Sequence, residues 1–176
     1  TDPEYLELCQ FVKSVDIVSA DGYEQVCKKI DVDEFINYMI AQIYIGNTDW
    51  PYNNVKMWKV KGIDKWRWIY FDTDFGFDSG RTNHNSLTFA LGENSSGIIG
   101  GYSIQPEWSV ILFKRLMLNE TFKNKFIDRF AIHISTTYKP DRVIHIMDSI
   151  SSKISNEITY HKSRWGLSNN FTSTLN

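Results

Sequence analysis

The sequence predicts an α+β fold that is predominantly helical, with one β-hairpin set between two groups of helices. Three observations point to it. Apolar residues recur at helical spacing over most of the chain, while residues 55–72 instead alternate and are rich in Trp, Ile, Tyr and Phe. Stretches holding Gly, Asn and Pro separate these patterns. At 176 residues, 42% hydrophobic and 15% aromatic, the chain can bury a sizeable core, so a single domain over 1–176 is expected.

Asp2-Pro3 reads as a helix cap with proline in the first turn, and Tyr5, Leu8, Cys9, Val12 and Val15 mark one face. Asp21-x-x-Glu24 and Asp31-x-x-Glu34 resemble capping boxes with Asp in place of Ser or Thr. The second opens the strongest helix, with Phe35, Ile36, Met39, Ile40, Ile43 and Tyr44 inward and Gly46-Asn47 as its stop. Residues 48–54 hold Pro51 and two Asn and read as a loop.

Residues 55–61 and 65–72 then form an antiparallel hairpin about Gly62-Ile63-Asp64. Trp58, Trp66 and Trp68 read as the glue between its strands and the helices. Residues 76–105 are rich in Gly, Ser and Asn without sustained periodicity, and are expected to be a long mobile loop. Helices return at 106–118, 120–136 and 140–165, the last with Val143, Ile144, Met147, Ile150, Ile154 and Ile158 at helical spacing. Residues 167–176 read as a frayed polar tail.

Composition excludes several classes. A net charge of −2 and a pI near 6.1 leave no electrostatic footprint for nucleic acid. No apolar run reaches the roughly 20 residues that span a bilayer. Cys9 and Cys27 read as buried free thiols, a disulfide being the alternative, and no Cys/His cluster suggests zinc. The chain opens on Thr in a helical pattern, as an excised piece of a longer protein would, which leaves the compartment open.

The chemistry concentrates in two stretches, Asn47-Thr-Asp49-Trp-Pro-Tyr-Asn53-Asn54 and Phe71-Asp72-Thr-Asp74-Phe-Gly76. An Asp, an Asn five residues on, a hairpin and a second Asp form the order in which protein kinases lay out their lower catalytic machinery. There one Asp accepts the hydroxyl proton, and the Asn and second Asp hold metal on the ATP phosphates. The His-Arg that ordinarily precedes the first Asp is replaced by Asn-Thr. The strands begin after Asn54 and end at Asp72, so the hairpin should bring Asp72 back beside Asp49.

Taken singly, Asp49, Asn53 and Asn54 could be turn residues. Asp72, Asp74 and Asp78 alternate as in a calcium loop, but Phe77 and Asn83 stand where an EF-hand needs Gly and Glu. A glycosidase carboxylate pair would give Asn54 no role.

The same residues, with Asp31-Val-Asp-Glu-Phe-Ile-Asn-Tyr and Lys65-Trp-Arg-Trp68 running into Asp72-Thr-Asp-Phe-Gly-Phe, resemble the CotH family of spore-coat-protein-H-like atypical kinases. The resemblance implies a kinase C-lobe-like fold, ATP as co-substrate with Mg2+, and transfer to Ser or Thr of a protein. It implies Asp49 as the catalytic residue, Asn54 and Asp72 as ligands of metal and nucleotide, and Asp74, the second acid of an Asp-x-Asp pattern, as a further metal residue. The family's name points to the spore coat or cell envelope. No Gly-rich loop or Val-Ala-Ile-Lys-like strand represents the upper lobe, so little activity is expected of these residues alone. The alternative is a non-catalytic coat or cell-surface module that keeps the kinase shape, with the 76–105 segment and the aromatic hairpin as interaction surfaces.

Overall fold

In a computed structural model the described residues are 2–60, 62, 65–93 and 106–166. They form α1 (Pro3–Ser14), α2 (Ala20–Lys29), α3 (Val32–Ile45), β1 (Lys56–Trp58), β2 (Arg67–Ile69), a 3-10 turn (Ser79–Arg81), α4 (Ser86–Ala90), α5 (Glu107–Leu116), α6 (Glu120–Ser135) and α7 (Pro140–Trp165). The fold is predominantly helical with one two-stranded antiparallel sheet, as expected. The tail at 167–176 and residues 94–105 lie outside the described residues.

Where length and composition suggest one domain, the chain divides into two compact units, Thr1–Arg129 and Phe130–Asn176. The second is built mainly of α7, which buries none of its residues despite its apolar spacing. The first unit holds the core and every candidate site residue. Its centre is α3, where Phe35, Ile36, Met39, Ile40 and Ile43 are buried as their spacing requires. Phe113 on α5 is fully buried and meets the rings of Phe35, Phe122 and Phe126 edge-on at 6.5, 6.4 and 5.3 Å. Such burial contributes about 2–3 kcal/mol per large side chain.

The helix ends show which caps the sequence announces. Asp2 accepts from the Glu4 and Tyr5 amides, and Gly46 ends α3 in the left-handed region at φ 64°. The proposed box at Asp21 is corrected. Ser19 caps α2 instead, accepting from the Gly22 amide, and Asp21 lies two residues past the cap, in the first turn. Gly22 explains the shift. A Cβ there would sit 2.0 Å from the Asp16 carbonyl oxygen, so only glycine lets the preceding turn fold over the helix start.

At α3 the capping box is half made. Asp31 accepts from the Glu34 amide, but Glu34 does not reach back. Its carboxylate accepts instead from the Trp68 amide of β2 at 3.0 Å.

That bond belongs to a set that moors the hairpin. The register pairs Lys56 with Ile69, Met57 with Trp68 and Trp58 with Arg67. Trp66 donates from its amide to the Lys29 carbonyl, and its own carbonyl accepts from the Asp31 amide, at 2.8 and 2.9 Å. The Arg67 guanidinium donates to the Asp31 carboxylate at 2.9 Å. Trp68 is buried against Phe35 and Tyr38, and Trp66 meets Tyr5 edge-on. Trp58 departs from its expected role as glue. It is 41% exposed, stacked beneath Arg67.

The expectation of an unbroken loop after residue 76 is also corrected. Asp78 caps the 3-10 turn, and Asn85 caps α4 by accepting from the Thr88 amide. Five residues are too few to show a helical period, and α4 holds because Phe89 and Ala90 are buried. Both cysteines are free thiols, Cys9 buried and Cys27 half-buried.

Candidate active site

Two segments of the first unit supply the site, and each is held by buried groups behind it. The 48–54 loop follows the left-handed end of α3. Asn47 and Thr48 are buried with Gln42, and the Asn47 amide donates to the Gln42 side-chain oxygen at 2.9 Å. The Asn47 side-chain oxygen in turn accepts from the Asp49 amide at 3.1 Å. Trp50, only 2% exposed, plugs the loop into the core and donates from its indole to the Tyr38 hydroxyl at 2.8 Å. Neighbouring Trp50 being buried, Asp49 has little freedom to move.

The Asp49 carboxylate gathers three donors. The side-chain amides of Asn54 and Asn53 reach Oδ2 at 2.9 and 3.0 Å, and the Tyr52 hydroxyl reaches Oδ1 at 3.5 Å. The spacing of Asp and Asn five residues apart thus closes into direct contact. Because Asn54 donates through Nδ2, its carbonyl Oδ1 is the end left for a cation or a second donor.

Asp72 arrives from the other segment, three residues beyond β2. Water lost around its carboxyl pushes it above the usual carboxylate range, and the charges of Asp74 and Asp49 push the same way, with Lys56 opposing. Asp72 is an exposed residue, so this is a bias in local charge rather than a cost to folding. Asn54 thus touches Asp49, and the charges of Asp49 and Asp74 both act on Asp72.

Two of these residues, Asn54 and Asp72, adopt left-handed backbone at φ 53° and 48°. Asn and Asp tolerate that region better than most residues, at a cost of about 1 kcal/mol or more. Strain of this kind concentrates where function specifies a direction for the side chain.

Among the described residues no group of three or more His, Cys, Asp and Glu is arranged to hold a metal unaided. The donor set nevertheless suits a hard divalent cation. Every available ligand atom is oxygen, and the crowding of negative charge on Asp72 is what such a cation relieves. Magnesium needs few protein ligands because it keeps water and takes substrate phosphate oxygens.

The segment beyond Asp74 is fastened to the end of α3. The Phe77 amide donates to the Ile45 carbonyl at 2.6 Å, and the Phe77 ring meets Tyr44 edge-on at 5.7 Å. Gly76 passes so close that a Cβ would sit 2.8 Å from Ile45 Cδ1 and 3.1 Å from its Cβ. Gly76→Ala should therefore cost about 1–3 kcal/mol by overpacking. Ile45→Ala in the same chain should recover part of it, both read from chemical denaturation.

A family model described as CotH kinase protein matches residues 1–175, nearly the whole chain. The chain belongs to the CotH family. No curated protein and no solved structure matches it. Within this CotH chain, the buried Gln42–Asn47 support, the Asn53 amide on Asp49 and the Gly76–Ile45 contact carry no sequence signal of their own. Each is a partner chosen by the fold, whereas the Asp49–Asn54 spacing and the order of Asp49, Asn54, Asp72 and Asp74 are visible in the sequence. Among the described residues no helix is long and apolar enough to cross a membrane.

Proposed function

We propose that the protein carrying this chain is an atypical Ser/Thr protein kinase that transfers the ATP γ-phosphate to a protein hydroxyl with Mg2+. Asp49 orients the attacking hydroxyl and accepts its proton as the oxygen–phosphorus bond forms and the β–γ bridging bond breaks, ADP leaving with the electron pair. Asn54 and Asp72 are the residues that would hold magnesium, with Asp74 beside them. When bound, that ion neutralises charge on the phosphates. Phosphoryl transfer relies mostly on such positioning and neutralisation, so a small set of oxygen ligands on a rigid frame suffices.

The observation that carries this reading is the contact between Asn54 and Asp49 at 2.9 Å, with the charges of Asp49 and Asp74 acting together on Asp72. A turn that merely capped its own backbone would leave Asp72 out of the arrangement. The test is transfer of labelled phosphate from ATP to Ser or Thr of a protein substrate by the full-length protein. Label should appear with magnesium and vanish with chelator. Binding of nucleotide without any transfer to protein hydroxyls would contradict the reading.

A second reading has one observation in its favour. Tyr70, Phe71, Phe75 and Phe77 are each more than a third exposed on the hairpin end and the segment after it, as an interaction surface would be. The protein would then be a coat or cell-surface module without chemistry. It should show no magnesium-dependent stabilisation by ATP.

A further inference from the structure

Among the described residues the hairpin carries a cation, Lys56, against the segment that leads into Asp72, and the reaction as drawn leaves it unused. Lys56 opens β1 two residues after Asn54 and pairs with Ile69 across the ladder. Cross-strand partners share a face of the sheet, and residue i+2 returns to the same side, so Lys56, Ile69 and Phe71 lie together. The Lys56 ammonium accordingly rests over the Phe71 ring, 3.4 Å from its centroid. Phe71 is the residue immediately before Asp72, and the Lys56 charge acts on that carboxylate against those of Asp74 and Asp49.

The tether is weak. Phe71 is 37% exposed, and a cation–aromatic contact open to water is a modest hold on a flexible four-carbon stem. The next lysine along the chain, Lys59, is committed elsewhere, paired with Glu4 and lying over Trp66. A nucleotide triphosphate is strongly anionic, and it must approach three carboxylates. A divalent ion offsets part of that repulsion. An ammonium free to leave an aromatic ring and meet the outermost phosphate offsets more.

We infer that Lys56 binds the terminal phosphate of ATP, leaving the Phe71 ring to do so, and holds the phosphoryl group as it moves. The inference rests on the phosphotransferase reading of the site. In the step, the substrate oxygen bonds to the γ-phosphorus, the bond to the β-bridging oxygen breaks toward ADP, and the hydroxyl proton goes to Asp49. Lys56 takes no part in the proton transfer and contributes charge alone.

The test compares Lys56→Met, Lys56→Arg and Lys59→Met in the full-length protein, measuring affinity for magnesium ATP and magnesium ADP by calorimetry alongside transfer. Lys56→Met should weaken ATP binding about tenfold while leaving ADP binding within about twofold, because only ATP carries the phosphate it meets. Transfer should fall by about 30-fold or more, with Lys56→Arg restoring part of it. Lys59→Met should match the parent in all three. A lysine that only braces the hairpin would shift the melting temperature and weaken ATP and ADP alike. That result, or undiminished transfer by Lys56→Met, overturns the inference. If the parent protein binds neither nucleotide, the phosphotransferase reading itself falls and this assignment with it. Parent binding and transfer with an inert Lys56 removes only the lysine.

Discussion

Asp49→Asn in the full-length protein should cut phosphate transfer by about 10²–10⁴-fold while leaving the melting temperature nearly unchanged. The size follows from what a positioned base contributes to proton transfer. The substitution keeps the shape, so Trp50 still fills its place against Tyr38 and the Asp49 backbone amide still donates to Asn47. What changes is charge and proton affinity. An Asn side chain cannot take the hydroxyl proton, and it keeps one acceptor oxygen where Asp49 has two, Oδ2 for the Asn53 and Asn54 amides and Oδ1 for the Tyr52 hydroxyl. Stability should move by no more than about 1 kcal/mol. Transfer assays beside a thermal melt read both effects. A variant that transfers at the parent rate removes Asp49 from the chemistry.

Trp68→Ala should be the most damaging single change to the hairpin, at about 3–5 kcal/mol. Trp68 is 6% exposed, its ring 4.4 Å from Phe35, and its amide is the donor to Glu34. Removing the indole leaves a cavity against the centre of α3, and it loosens the strand from which Asp72 hangs. Nucleotide affinity should therefore fall with stability, although Trp68 touches neither Asp72 nor Asp49 in any contact described above. Urea denaturation gives the first quantity and calorimetry the second. A loss under about 1 kcal/mol would mean that the hairpin is held by its backbone bonds alone.

These two residues also show what the sequence made legible. The strong period of α3 and its Gly46 stop announced the helix correctly, because the apolar residues recur over fourteen positions. The hairpin was legible from alternation and aromatic content, yet its strands are three residues each. The flanking residues leave the ladder for specific partners: Lys59 goes to Glu4, and Asp72 turns left-handed. The cap at Ser19 was hidden because its choice depends on how closely Asp16 passes Gly22.

The same logic divides the site. The spacing of Asp49 and Asn54 is local, so a sequence can show it. That Asp72 should return toward Asp49 follows from a hairpin, which alternation also shows. Gln42, Lys56 and Ile45 become part of the arrangement only through packing and register. A polar residue inside an apolar helix, a lysine opening a strand and an isoleucine at a helix end each look ordinary until their partners are known.

Calorimetric titration of the full-length protein with ATP, in the presence and absence of magnesium, tests the central claim most directly when repeated on Asp72→Asn. Lost hydration and the charges of Asp74 and Asp49 both act against the ionised Asp72 carboxylate, and a bound cation offsets them. ATP should bind with magnesium, bind at least about tenfold more weakly without it, and lose most of that magnesium dependence in the variant. Binding that ignores magnesium, or a magnesium dependence that survives Asp72→Asn intact, would contradict the account.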